Sequence, residues 1–197
     1  MSKALLLLAE GAEEMEAVIA ADVLRRAGVE VTIAATGAGR EVTASRGVRL
    51  VADALLAEVR PDDFDALVLP GGAGGAKRLA ADKRVLEIVR RFAAAKKTVA
   101  AVCAAPLVLK AAGVLDGVRV TSHPAVRSDL HGKTEGLKDG RPAVCDDRVV
   151  EDGVFITSQG PGTTMEFALA IARRLVGEEA ARKVAEGLIL PLGTPCG

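Results

Sequence analysis

Short, near-continuous apolar runs recur along the chain, and each gives way to a segment with helical spacing. Residues 4–9 after Lys3, 66–69 and 98–102 carry small or apolar side chains at successive positions rather than at alternate ones, and residues 29–35 read as a further strand. A strand with one wet face alternates; a strand that does not is covered on both faces, the condition of strands in a parallel sheet. Segments 13–27, 77–95, 107–112, 163–176 and 178–188 read as helices. Arg25 and Arg26 precede Gly28, as the last turn of a helix prefers, a break is expected near Asp82, and Thr163 to Glu166 reads as a capping box. This alternation predicts a doubly wound α/β sandwich with a mostly parallel sheet, built as one domain over residues 1–197 with a Pro/Gly-rich tail from 191. Hairpins are expected within residues 41–51 and, turning at Asp152-Gly153, within residues 142–158; residues 125–140 read as a short helix and loop.

The stretch from Lys97 to Leu107 concentrates the chemistry. A buried strand ends at Cys103, and Ala104-Ala105-Pro106 opens a helix whose first turn tolerates proline. A strand that turns straight into a helix leaves its last side chain at the carboxyl edge of the sheet, where open α/β sheets bind ligands. The arrangement matches a strained nucleophile elbow with cysteine in the place of serine, and free N–H groups at the helix start are expected to favour thiolate. Cysteine placed elsewhere is more often an inert, buried hydrophobe.

Composition narrows the possible partners. The chain has 26 basic and 26 acidic residues, four Phe, and no Trp or Tyr, so its core is built of Ala, Val and Leu. No basic patch and no aromatic stacking platform stands out, which argues against nucleic acid as a main partner. No apolar run approaches 18 residues, so no membrane span is expected, and residues 4–9 are too short for a signal-peptide core. Cys103, Cys145 and Cys196 are odd in number and irregular in spacing, which points to free thiols in a reducing compartment such as the cytoplasm. With His123 and His131 they lack zinc spacing, so no metal is expected.

Three groups fall at equivalent strand ends: Glu16 after the first strand, Gly71-Gly72 after the strand at 66–69, and Cys103. Glu13 and Glu14 are accounted for by the dipole of the helix they open. Glu16 sits beside Met15, Val18 and Ile19 where the helix begins to bury a face. Buried next to Cys103, its pKa is expected to rise, so that a protonated carboxyl donates to the sulfur and the two share one proton. Gly71 and Gly72 read either as a plain turn or as backbone donors to an oxyanion. The run is not a phosphate loop, because Ala76 stands where a Walker A motif needs Gly before Lys77. His123 reads either as the imidazole of a Cys–His pair or as a histidine bonded to backbone or solvent.

Five segments in order carry a resemblance: residues 9–16 (AEGAEEME), 68–72 (VLPGG), 101–106 (AVCAAP), 120–124 (VTSHP) and 157–163 (TSQGPGT). Together they resemble the DJ-one branch of the PfpI superfamily, the parkinsonism-associated deglycases, over residues 3–190. The resemblance implies a flavodoxin-like three-layer sandwich and a homodimer. It implies that Cys103 is the reactive, oxidisable cysteine and Glu16 the glutamate bonded to it. Gly71, Gly72 and Ala104 would be backbone donors around the pocket, His123 the pocket histidine, and Arg46 the arginine at its dimer-side rim. The implied activity is cofactor-free: conversion of α-oxoaldehydes such as methylglyoxal to the 2-hydroxy acid (glyoxalase III), with protein deglycation as a related activity. A redox-sensing, chaperone-like dimer read out by Cys103 oxidation is the alternative, and a PfpI-like cysteine peptidase a third reading. Ala105 stands where the family has Gly, Gln159 where an arginine is common, and residues 191–197 depart from the family's short apolar ending. These departures imply an extra methyl at the elbow and weaker anion binding.

Overall fold

The computed structural model describes residues 1–131 and 142–190. In chain order the elements are β1 (Lys3–Leu8), α1 (Glu14–Arg26), β2 (Glu30–Ala35), β3 (Glu41–Thr43), β4 (Arg49–Val51), β5 (Ala54–Leu55) and β6 (Ala66–Leu69). There follow α2 (Ala73–Ala81), α3 (Lys83–Ala94), β7 (Thr98–Val102), α4 (Pro106–Ala112), β8 (Arg119–Val120), α5 (Arg127–His131) and β9 (Ala143–Val144). The chain continues through β10 (Val149–Asp152), β11 (Phe155–Ser158), α6 (Thr164–Val176) and α7 (Glu178–Gly187). One seven-stranded sheet has the order β10-β11-β7-β6-β1-β2-β5. Every pairing in it is parallel except β10 with β11.

The apolar runs are doubly covered, as the pattern requires. Leu6 and Leu8 of β1 pack with Val68, Ala100, Val102 and Ile156 against α1 and α6. Leu5 and Leu7 face the other way and pack with Leu67, Leu69, Val99 and Ala101 against α3 and α4, where Phe92 and Leu109 fill the layer. The result is a flavodoxin-like three-layer α/β sandwich. Its central strands follow the order β2-β1-β6-β7-β11, so the chain reverses direction of growth between β1 and β6. Ligands bind beside such a switch point, outside the carboxyl ends of the strands.

Several local expectations are corrected. The α2 helix begins at Ala73, not Lys77, so Gly74 and Gly75 are helical. A Cβ on Gly75 would lie 2.7 Å from the Ala12 Cα, so glycine lets this helix start rest directly on the loop after β1. The expected break at Asp82 is present, with Asp82 ending α2 and capping α3 by accepting from the Arg84 N–H at 2.9 Å. Thr163 forms no capping box: its hydroxyl is engaged with Ser158 and Gly160, and Glu166 pairs with Arg148. The short strand β8 stands outside the main sheet and pairs with β9. Residues 132–140 of the expected loop, and Cys196 with the tail, lie outside the described residues. No helix among the described residues is long and apolar enough to cross a membrane.

Phe92 is fully buried against the sheet. Phe92→Ala is expected to lower unfolding free energy by about 3–5 kcal/mol, read from the urea midpoint with an unchanged denaturant slope.

Candidate active site

The site forms where β1, β6 and β7 end on one edge. Cys103 follows β7 directly and has a left-handed backbone, φ 63°. That conformation costs a residue with a side chain about 1–2 kcal/mol, so it persists only where the surroundings fix it. Here both flanking peptide groups are held: the Cys103 N–H donates to the Ser158 carbonyl, and the Cys103 carbonyl accepts from the His123 N–H, each at 2.9 Å. Cys103 is partly exposed, and the neighbouring N–H groups of Gly72 and Ala104 favour its ionised form.

The expected help from the α4 amino terminus is smaller than the sequence suggests. The Ala105 N–H donates to Val102, Leu107 to Ala104, and Val108 to Ala105, while Pro106 has no N–H. The helix start therefore gives the sulfur a single donor, Ala104. Against it stands burial, which together with the neighbouring Glu16 charge pushes the Cys103 thiol up to about 12.

Glu16 occupies the third position of α1 and is fully buried. Its Oε2 accepts from the Gly71 N–H at 2.6 Å. Its Oε1 is buried with no hydrogen-bond partner among the described residues, and the carboxyl lies beside the Cys103 side chain. Burial raises this carboxyl from 4.5 to about 7. The rise at Cys103 depends in part on an ionised Glu16. When the proton sits on Glu16, that charge disappears and the carboxyl O–H becomes a donor to the sulfur. The two groups are thus coupled, and above about pH 7 they hold one proton between them. The unpartnered Oε1 is the atom on which that proton fits.

The glycines after β6 are required by contact. A Cβ on Gly71 would lie 2.6 Å from the Cys103 Cβ and 2.8 Å from Glu16 Oε2. Gly72 has φ 79°, and a Cβ there would lie 2.6 Å from the Glu13 nitrogen. The two residues play different parts: the Gly71 N–H is engaged by Glu16, and the Gly72 N–H by the sulfur.

The remaining expected residues are exposed or bonded elsewhere. His123 is exposed, and its Nδ1 accepts from the Ala125 N–H at 3.2 Å, which leaves the neutral ring's proton on Nε2. Arg46 is exposed, its guanidinium donates to the Ser45 carbonyl, and its backbone N–H donates to Glu14 Oε1. Gln159 turns from the sulfur, and its Nε2 donates to the carbonyls of Asp146 and Asp147. The extra methyl of Ala105 fits a fully buried position with ordinary helical angles. Sequence reasoning missed Glu14: it is buried and accepts from the Ser45 hydroxyl as well as Arg46, tying the turn between β3 and β4 to α1. Its partners lie about thirty residues away, so no local signal marks them.

A buried carboxyl with a raised pKa stabilises the fold below its unfolded value, 4.5, and that contribution is lost as pH rises through about 7. Glu16→Gln is therefore expected to flatten the fall in melting temperature between pH 5 and 8, with a gain at pH 8 on the order of 3 kcal/mol at most. Thermal melts of both proteins at several pH values check this.

Residues 2–174 match the DJ-1/PfpI family. The chain is 46% identical over 191 residues to protein dj-1beta of Drosophila melanogaster, covering 96% of this chain and 98% of that one. It is 37% identical over 189 residues to the glutathione-independent glyoxalase DJR-1.2 of Caenorhabditis elegans, covering 96% of each. The crystal structure of Drosophila melanogaster DJ-1beta superposes with a TM-score of 0.89 at 45% identity, covering 96% of this chain and 99% of that one. A match across most of the chain, in sequence and in structure, means that this protein belongs to the DJ-1/PfpI family.

Proposed function

We propose that the chain is a cofactor-independent glyoxalase that converts methylglyoxal or glyoxal to the 2-hydroxy acid without glutathione. The observation that carries this reading is the pairing of a sulfur, held at a left-handed elbow by two N–H donors, with a buried carboxyl that shares its proton. A relative named as a glutathione-independent glyoxalase supports the same substrate class.

The Cys103 thiolate adds to the aldehyde carbon and forms the C–S bond of a hemithioacetal, while the proton held by Glu16 goes to the aldehyde oxygen. The Glu16 carboxylate then removes the hydrogen from that carbon, the hydroxyl proton passes to the neighbouring oxygen through an enediol, and Glu16 returns its proton to the neighbouring carbon, leaving a thioester and a new hydroxyl. The former aldehyde carbon is oxidised and the former ketone carbon reduced, so no outside redox partner is needed. Water hydrolyses the resulting thioester, releasing lactate and restoring the pair. Deglycation of a methylglyoxal adduct on a protein would begin from the same thiolate. In this reading His123 donates from Nε2 at the rim and is not the base, which disfavours a Cys–His peptidase.

Lactate release from methylglyoxal in the absence of glutathione is the test. Cys103→Ser and Glu16→Gln are each expected to lose about 10²–10⁴-fold in kcat/KM. Full turnover in Cys103→Ser would exclude the mechanism. Redox sensing keeps a specific observation of its own: the sulfur is partly exposed, and the Gly72 and Ala104 donors suit the oxygens of a sulfinate. Mass spectrometry after mild peroxide decides for it if sulfinate forms selectively at Cys103 while aldehyde turnover is negligible.

We also propose that the chain pairs with a second copy through α1 and the β3–β4 hairpin. Met15 and Val18, 52% and 50% exposed, lie on α1, and Val48 and Val51, 48% and 72% exposed, lie on the hairpin that Glu14 ties to it. Scattered apolar residues need no partner, but these fall on two elements in contact. Light scattering is expected to give a dimer for the wild type and a monomer for Val18→Asp.

A further inference from the structure

The cap of α1 departs from the usual pattern. Glu13 is the capping residue, although the shorter Ser, Thr, Asp and Asn are preferred there. In a capping box the third helical residue, here Glu16, turns its carboxyl back to the N–H of the cap. In this chain the Gly71 peptide stands between them. The Glu13 N–H donates to the Gly71 carbonyl at 3.1 Å, the Gly71 N–H donates to Glu16 Oε2 at 2.6 Å, and the Glu16 N–H donates to Glu13 Oε2 at 2.7 Å. These three bonds close a ring that joins the start of α1 to the loop after β6. The Glu16 carboxyl is thereby freed from its own helix and faces Cys103.

We propose that Glu13 is a positioning residue for the reaction, closing this ring so that Glu16 is fixed against Cys103 and placing a negative charge that favours the proton on Glu16 rather than on the sulfur. The inference rests on the glyoxalase reading for its consequence in turnover, but not for its effect on the cysteine. Among the described residues, the titratable groups that face Glu16 are Cys103, from the β7–α4 elbow, and Glu13, from its own helix cap; the loop after β6 presents the Gly71 N–H. Glu13 raises the Glu16 carboxyl by charge repulsion, in addition to the larger effect of burial. With that charge removed, Glu16 ionises more readily, the shared proton moves toward the sulfur, and less thiolate is present at neutral pH. The bonds of Glu13 run to Glu16 and to Gly71, so its action on the sulfur is through Glu16.

The test is the pH dependence of Cys103 alkylation by iodoacetamide, followed by peptide mass spectrometry, in wild type, Glu13→Gln and Glu13→Asp. Glutamine keeps an acceptor for the Glu16 N–H and removes only the charge. Glu13→Gln is expected to alkylate Cys103 at least about threefold more slowly at neutral pH, the equivalent of half a pKa unit, and to shift the lower inflection to lower pH. Glu13→Asp, which restores the charge, is expected to recover part of the rate. A merely structural cap would change the melting temperature and leave the alkylation profile in place. Superimposable profiles for the wild type and a folded Glu13→Gln would overturn the proposal. Absence of lactate from wild-type protein would overturn the glyoxalase reading alone, because alkylation does not require an aldehyde substrate.

Discussion

The chemistry of this fold depends on one carboxyl and one sulfur that hold a single proton between them. Glu16 is buried without a counter-charge, which is tolerable only while it is protonated or pointed at a group that can lend a proton. Cys103 is that group. Burial alone opposes both ionised forms, so neither residue would be reactive by itself in this position. Together they allow a thiolate beside a neutral acid, the state that nucleophilic addition and proton return both require.

The rest of the architecture serves to hold that pair. The sheet order brings the ends of β1, β6 and β7 together, so that a helix start, a glycine turn and a nucleophile elbow share one edge. The space between them admits no side chain on Gly71 or Gly72. The strain at Cys103 is supported from two sides, by Ser158 of β11 and by His123 beyond β8. A conformation of this cost is kept because its peptide groups cannot relax without breaking long-range hydrogen bonds.

Much of this was legible in the sequence because it rests on local pattern. Unalternating apolar runs gave the doubly covered strands, and the step from residues 98–102 to Pro106 placed Cys103 at a strand end. Glu16 was legible because it falls among residues that begin a buried face. What was hidden depends on partners remote in the chain. Thr163 met the spacing of a capping box, yet its hydroxyl bonds Ser158 and Gly160 instead. The glycines at 74 and 75 looked like a turn because their helix is selected by close approach to Ala12, not by propensity. The helix start at residue 106 promised several free donors, but the carbonyls of Val102, Ala104 and Ala105 take all except one. Glu13 and Glu14 looked like ordinary dipole charges, and only their contacts separate them.

The central claim is that the shared proton leaves a thiolate at neutral pH, and it is tested most directly by the ultraviolet thiolate absorbance of wild type against Cys103→Ala across a pH titration. The account predicts a thiolate signal that develops around pH 7, as the pair gives up its first proton and keeps the second on the Glu16 carboxyl. A difference spectrum that stays flat until the alkaline region near 12 would place the proton on sulfur throughout and contradict it.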